Sequence, residues 1–192
     1  ARYLAAELES SELVLESMAG LVEAKLQSDD TVAINLGEPN FMPTALPFLM
    51  NTESDRYLLE LENGAIEFGA VSMGNPHAII QVDSVEKAPV GILGSELQAH
   101  SSFPQSVNIG FVEFSDPHNL KLRVFERGVG ETRACGTGAA AAVAVGRRWG
   151  LLDTDVQVEL AGGLLKVDWL GPGYSLWLSG PATRVFEGHI EL

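Results

Sequence analysis

The stretch that most constrains this chain is GTGAAAAVAVG, residues 136–146. Alanine is the best helix former, and a helix over residues 139–145 has no polar side, so it must be enclosed on every face. The segments around it read as short strands. The fold expected is therefore α/β of the α+β kind, a strongly curved and mostly antiparallel sheet wrapped around a central helix. With 192 residues, 46% of them hydrophobic and 20% charged, the chain can bury such a core.

In order, ARYLAAELES reads as the end of a helix. SELVLESMAGLVEAKL reads as a hairpin turning at Met18-Ala19-Gly20. TVAINLG turns Val32, Ile34 and Leu36 inward, and Pro39, Pro43 and Pro47 then break the period, which marks a candidate domain boundary. RYLLELEN and GAIEFGAVSMGNPHAIIQVDS are strands with a turn signal at Asn63-Gly64. A polar interruption at Gly74-Asn75-Pro76-His77 divides the second of these segments.

VGILGSELQAHSSFP reads as a helix with apolar Ile92, Leu93 and Leu97 and a stop at Pro104. SVNIGFVEF and HNLKLRVFERG alternate as strands, with Val107, Ile109 and Phe111 on one face of the first and Leu120, Leu122 and Val124 on one face of the second. Asn108 then points away from its apolar neighbours. After the alanine run, VQVEL, LLKVDWL, YSLWLSG and TRVFEGHIEL are four expected strands, joined at Ala161-Gly162-Gly163, Gly171-Pro172-Gly173 and Gly180-Pro181.

The chemistry concentrates just before the alanine run. Cys135, the only cysteine, stands at the start of that helix, where free N–H groups and the positive dipole end lower a thiol's pKa and attract carboxylates. Its alternative reading is a small buried hydrophobe. Arg127 can grip a carboxylate and Glu126 an ammonium group, which together describe a pocket for an amino acid; the alternative is an ion pair closing a strand end. Arg123, Arg127, Arg133, Arg147 and Arg148 crowd the same stretch, either to supply local positive charge or as solvated element ends.

Other classes are disfavoured. A net charge of −14 repels nucleic acid. His77 has no His or Cys partner at ligand spacing, so no metal is expected. Gly128-Val129-Gly130 lacks the lysine of a phosphate loop. No apolar run is long enough to span a bilayer and no signal architecture is present, so a cytoplasmic location is expected. One cysteine, which cannot form an internal disulfide, agrees with a reducing compartment.

ERGVGETRACGTGAAAAVAVG, with VSMGNPHAIIQVD, FPQSVNIGFVEF, NLGEPNF and GPATRVFEGHIEL, closely resembles the C-terminal two-thirds of the bacterial diaminopimelate epimerase family, five separated motifs in one order. The resemblance implies interconversion of LL- and meso-diaminopimelate for lysine and peptidoglycan precursors, with no cofactor, by two cysteines on opposite faces of the substrate. It matches Cys135 to the second cysteine. Glu126 and His77 match residues that assist the thiols' protonation changes, and Asn75, Asn108, Glu126, Arg127, Gly136 and Thr137 match substrate-holding positions. Ala78, Ala140 and Ala141 stand where relatives carry cysteines or other small residues.

The family's first cysteine, in a CGNGARC-type motif, would fall ahead of Ala1. The sequence is thus expected to be a fragment, inactive in epimerisation by itself. The fold implied has two pseudo-symmetric halves: residues 36–180 are a complete second half, and 1–35 with 181–192 a remnant of the first. A homodimer is also implied. The alternatives are a racemase of another amino acid on the same plan, or an inactive substrate-binding fragment.

Overall fold

In a computed structural model, residues 1–17, 20–29, 31–62 and 64–190 are described. Met18, Ala19 and Asn63, on which two of the expected turns fall, lie outside them, as do residues 191 and 192. The chain opens with α1 (Arg2–Glu7) and the hairpin β1 (Glu12–Ser17) and β2 (Gly20–Leu26), then β3 (Thr31–Asn35). The proline-bearing segment, with a single 3-10 turn at Pro43–Ala45, leads to β4 (Tyr57–Leu61), β5 (Gly64–Ser72) and β6 (Pro76–Gln81). Next come α2 (Val90–Ala99), β7 (Asn108–Asp116), β8 (Asn119–Glu126), the short β9 (Gly130–Thr132) and α3 (Gly136–Arg148). β10 (Asp155–Leu160), β11 (Gly163–Asp168) and β12 (Trp177–Pro181) complete the described elements.

The strands form one sheet in the order β1-β2-β3-β12-β11-β10-β8-β7-β6-β5-β4, with β9 added beside β8. Among the described strands only β6 with β7 and β8 with β10 pair in parallel. α3 packs on β5, β6, β7, β8, β11 and β12, so the sheet curls around it. Residues 138–146 of α3 are all buried, the enclosure that an apolar helix demands. Val71, Ile79, Val112, Leu122, Val158 and Val167 close over it.

α2 covers the other face of β7 and β8. There Phe48, Phe68, Phe103, Phe111 and Leu97 form a second core. β7 lies between the two cores, which is why its start is apolar on both sides: Ile109 and Phe111 face α2, and Val112 faces α3. The expected one-sided sets hold at Leu120, Leu122 and Val124, all in the α3 core.

Four expectations need correction. The described part of TRVFEGHIEL, residues 183–190, is not a strand and has no regular structure, and Val185, Phe186 and Ile190 are more than four-fifths exposed. An alternating pattern makes a strand only where a sheet edge receives it. Gly180-Pro181 is not a turn but the end of β12, paired with Val32 and Thr31. α2 ends at Ala99, short of Pro104, because His100 turns extended, and its Ile92 is exposed. In β3 Val32 is buried as expected, but Ala33 is buried too and Ile34 only half-buried, while Leu36 just beyond the strand packs half-buried against the α3 core.

Close packing makes two helical glycines opposite in kind. A Cβ on Gly146 would lie 2.5 Å from Leu152 Cδ1 and 2.7 Å from Phe114 Cε1, whereas one on Gly91 meets nothing within 4 Å. Gly146→Val is therefore expected to cost about 3 kcal/mol by overpacking. Gly91→Ala should add about 0.5–1 kcal/mol through helix propensity. Urea denaturation reads both, and equal signs for the two would contradict this packing.

Candidate active site

The site is assembled where four chain segments meet at the N-terminal end of α3. Gly74 makes the β5–β6 turn with φ of +88°, a conformation that suits glycine, and Met73 N–H donates to Asn75 O at 3.1 Å. That turn presents Asn75. The parallel register of β6 with β7 then sets His77 beside Asn108. Pairing of Ile109 with Phe125 brings the end of β8, Glu126 and Arg127, to the start of β7.

Asn108 ties these ends together. Its Nδ2 donates to Pro76 O at 2.9 Å and its Oδ1 accepts from Arg127 N–H at 2.9 Å. It points away from Ile109 and Phe111 as its alternation requires, and at 4% exposure it is held entirely by protein. Beyond the turn through Gly128, with φ of +75°, β9 returns along β8. Thr132 on β9 donates its hydroxyl to Glu126 Oε1 at 2.5 Å and so orients that carboxylate.

Cys135 is the N-cap residue of α3, with φ of −140° and ψ of 108°. Its Sγ lies 3.7 Å from Thr137 Oγ1, which accepts from Asn75 Nδ2 at 3.2 Å. Asn75 Oδ1 in turn contacts His77 Nε2 at 3.0 Å. A continuous polar chain thus runs from Cys135 through Thr137 and Asn75 to His77. Gly136, next to the thiol, is half-buried, and its N–H is among those a helix start leaves without an intrahelical acceptor.

Burial raises the Cys135 thiol above its ordinary pKa and Glu126 raises it further, against lowering by Thr137 and the Gly138 N–H. The helix start therefore does not yield the lowered thiol pKa expected from the sequence; desolvation of a side chain only 7% exposed outweighs it. At neutral pH Cys135 carries its proton. His77, fully buried and close to the Arg127 cation, is pushed down to about 3 and is a neutral imidazole. With Nε2–H donating to Asn75, its Nδ1 is left buried without a partner.

All eight residues singled out in the sequence, Asn75, His77, Asn108, Glu126, Arg127, Cys135, Gly136 and Thr137, therefore fall at this one end of α3. Arg127 joins through its backbone, while its guanidinium donates to Gln105 O at 3.1 Å. The other arginines of the stretch do not converge on the thiol. Arg123 pairs with Glu131, Arg133 donates to Ala161 O, and Arg148 pairs with Glu53 and Asp55. The reading as element ends suits Arg133 and Arg148, whereas Arg123 lies within β8. Thr132 carries no signal in the sequence, since a three-residue strand leaves no periodic pattern. Among the described residues no three His, Cys, Asp or Glu side chains converge as a metal site would require, and no helix is long and apolar enough to cross a membrane.

Comparison with known proteins gives a consistent picture. The sequence model of a family described as diaminopimelate epimerase matches residues 69–185. Proteins named diaminopimelate epimerase are similar to the chain: one from Stutzerimonas stutzeri (strain A1501) is 46% identical over 178 residues, which cover 93% of this chain and 64% of that protein. One from Alkalilimnicola ehrlichii is 48% identical over 181 residues, 94% of this chain and 65% of the relative. The chain thus spans just under two-thirds of the length of these curated relatives. Among solved structures, a hydroxyproline epimerase from Agrobacterium vitis with bound trans-4-OH-L-proline superposes with a TM-score of 0.60 at 19% identity, over 89% of this chain and 58% of the other. A PhzF-family phenazine biosynthesis protein of Bacillus anthracis gives 0.62 at 15% identity, over 99% of this chain and 73% of the other. At such identities the likeness is one of fold.

Proposed function

The chain belongs to the diaminopimelate epimerase family, and from that membership we propose that it supplies the Cys135 half of a two-thiol site that interconverts LL- and meso-diaminopimelate without a cofactor, for lysine and peptidoglycan precursor synthesis. The observation that carries the proposal is a protonated, buried thiol on the N-cap residue of α3, with a carboxylate and an amide-hydroxyl chain beside it.

In one direction the opposite thiolate takes the α-proton, breaking Cα–H, and the electron pair spreads into the α-carboxylate. Cys135 then delivers its S–H proton to the other face and is left as a thiolate. The reverse direction exchanges the two roles. The N–H groups of Gly136 and Thr137 at the start of α3 receive the carboxylate and steady its growing charge. Glu126, held by Thr132, sits close enough to Cys135 to favour the protonated thiol. His77 holds Asn75, and Asn75 holds Thr137. Asn108 fixes Arg127 and Glu126 at the rim, where the polar groups of the substrate bind.

The plan needs a second thiol, and the sequence carries one cysteine, so the proposal draws the partner from residues outside this sequence. We assign residues 36–180 to one half of the cleft and residues 1–35 with 181–192 to the other half. A cytoplasmic homodimer follows from the family plan. Supplied with its second thiol, the protein is expected to turn over LL-diaminopimelate faster than proline or glutamate. Faster turnover of either of those would transfer the reading to another racemase on the same plan, and binding of diaminopimelate without α-proton exchange would make the protein a binder.

A further inference from the structure

At the opposite end of α3 from Cys135 lies a cavity of about 580 Å³ with no part in the chemistry above, walled by Glu38, Phe41, Glu53, Arg147, Arg148 and Trp169 among others. Its size is that of a small-molecule site. The two arginines differ. Arg148 is spent on Glu53 and Asp55, its guanidinium lying 4.5 Å from the Phe41 ring centre. Arg147 makes no hydrogen bond or ion pair among the described residues; its Nε is buried without a partner, and its guanidinium lies 5.8 Å from the Trp169 ring centre.

A half-buried guanidinium without an acceptor is costly, and in a chain of net charge −14 carboxylates to pair it are abundant. The site is therefore poised for an acceptor from outside. On the same wall Glu38 is pinned by Gly173 N–H, which donates to Oε1 at 2.6 Å, and its other oxygen has no partner among the described residues. Glu53 is already paired with Arg148. The cavity thus offers one guanidinium and one carboxylate oxygen without partners among the described residues, over an apolar base in which the Phe41 and Trp169 rings touch, centres 6.3 Å apart.

We propose that this cavity binds an α-amino acid with an apolar side chain, its carboxylate on Arg147, its ammonium on Glu38 and its side chain against Phe41 and Trp169. A planar guanidinium takes a carboxylate through two hydrogen bonds, and a carboxylate takes an ammonium group. Being at the far end of α3, this ligand does not compete with a substrate at Cys135.

Calorimetric titration of the full protein with L-phenylalanine tests the assignment, with phenylacetate and phenethylamine as probes that each lack one charge. L-Phenylalanine is expected to bind at least roughly tenfold more tightly than either analogue, and Arg147→Gln to weaken it by about tenfold or more with the unfolding midpoint unchanged. Glu38→Gln should erase the preference for phenylalanine over phenylacetate. Saturating diaminopimelate should leave the titration as it is. No heat with phenylalanine, equal binding of phenylacetate, indifference to Arg147→Gln, or displacement by diaminopimelate would each overturn the proposal.

Discussion

Replacing Cys135 with alanine, in protein supplied with its second thiol, is expected to lower the rate of diaminopimelate epimerisation by about a thousandfold. One positioned acid–base group contributes roughly 10²–10⁴, and no neighbour can substitute for this one. Glu126 is engaged by Thr132, and His77, held down to about 3, has no proton to spare at neutral pH and is separated from Sγ by Asn75 and Thr137. The fold should survive the change, because Cys135 is one small side chain in a core that also holds the α3 alanines, the strand valines, Ile79, Leu122 and Trp169. An unfolding midpoint within a few degrees of the parent would separate lost chemistry from lost structure. Retention of more than about a tenth of the activity in a folded variant would remove Cys135 from the mechanism.

The second large effect is acid sensitivity through His77. Its folded pKa of about 3 lies below the ordinary 6.5, so as pH falls through 6.5 the unfolded chain takes up a proton that the folded protein refuses. Stability is therefore complete above pH 6.5 and lost as pH falls toward 3, by roughly 4–5 kcal/mol over the full window at about 1.4 kcal/mol per unit. Between pH 6.5 and about 4.5 the carboxylates do not yet dominate. His118 opposes the trend because carbonyl and carboxylate contacts to Asp155 raise its pKa, but it is exposed and its contribution is correspondingly small. Urea denaturation across this window should give a slope close to one proton, flattened in His77→Gln, which retains a donor toward Asn75. An equal slope in both proteins would show that the folded state accepts the proton elsewhere.

Much of this fold can be read from the sequence because its determinants are local. The all-apolar 139–145 run forces enclosure, and the alternation at Leu120, Leu122 and Val124 gives the inward face of β8 directly. The candidate site is legible in part: the polar interruption at Gly74-Asn75-Pro76-His77 and the cysteine at a helix start stand out in the sequence, whereas the parts of His77 and Asn108 in it are implied only by the family resemblance. What escaped reading depends on partners distant in sequence. TRVFEGHIEL has a strand's pattern, yet no described strand receives it. Thr132 gains its role only when β9 folds back on β8. The direction of the Cys135 shift turns on how deeply the thiol is buried, which nothing about its place at a helix start reveals.

The central claim is that Cys135 exchanges a proton with one face of a diaminopimelate α-carbon, and its most direct test is isotopic. LL-diaminopimelate incubated in deuterated water with the two-thiol protein should give meso product carrying one deuteron at the inverted carbon, and Cys135→Ala should give no meso product, any label being confined to the uninverted isomer that the remaining thiol deprotonates. Meso product that keeps its original proton, or undiminished formation of meso product by the folded Cys135→Ala variant, would contradict the account.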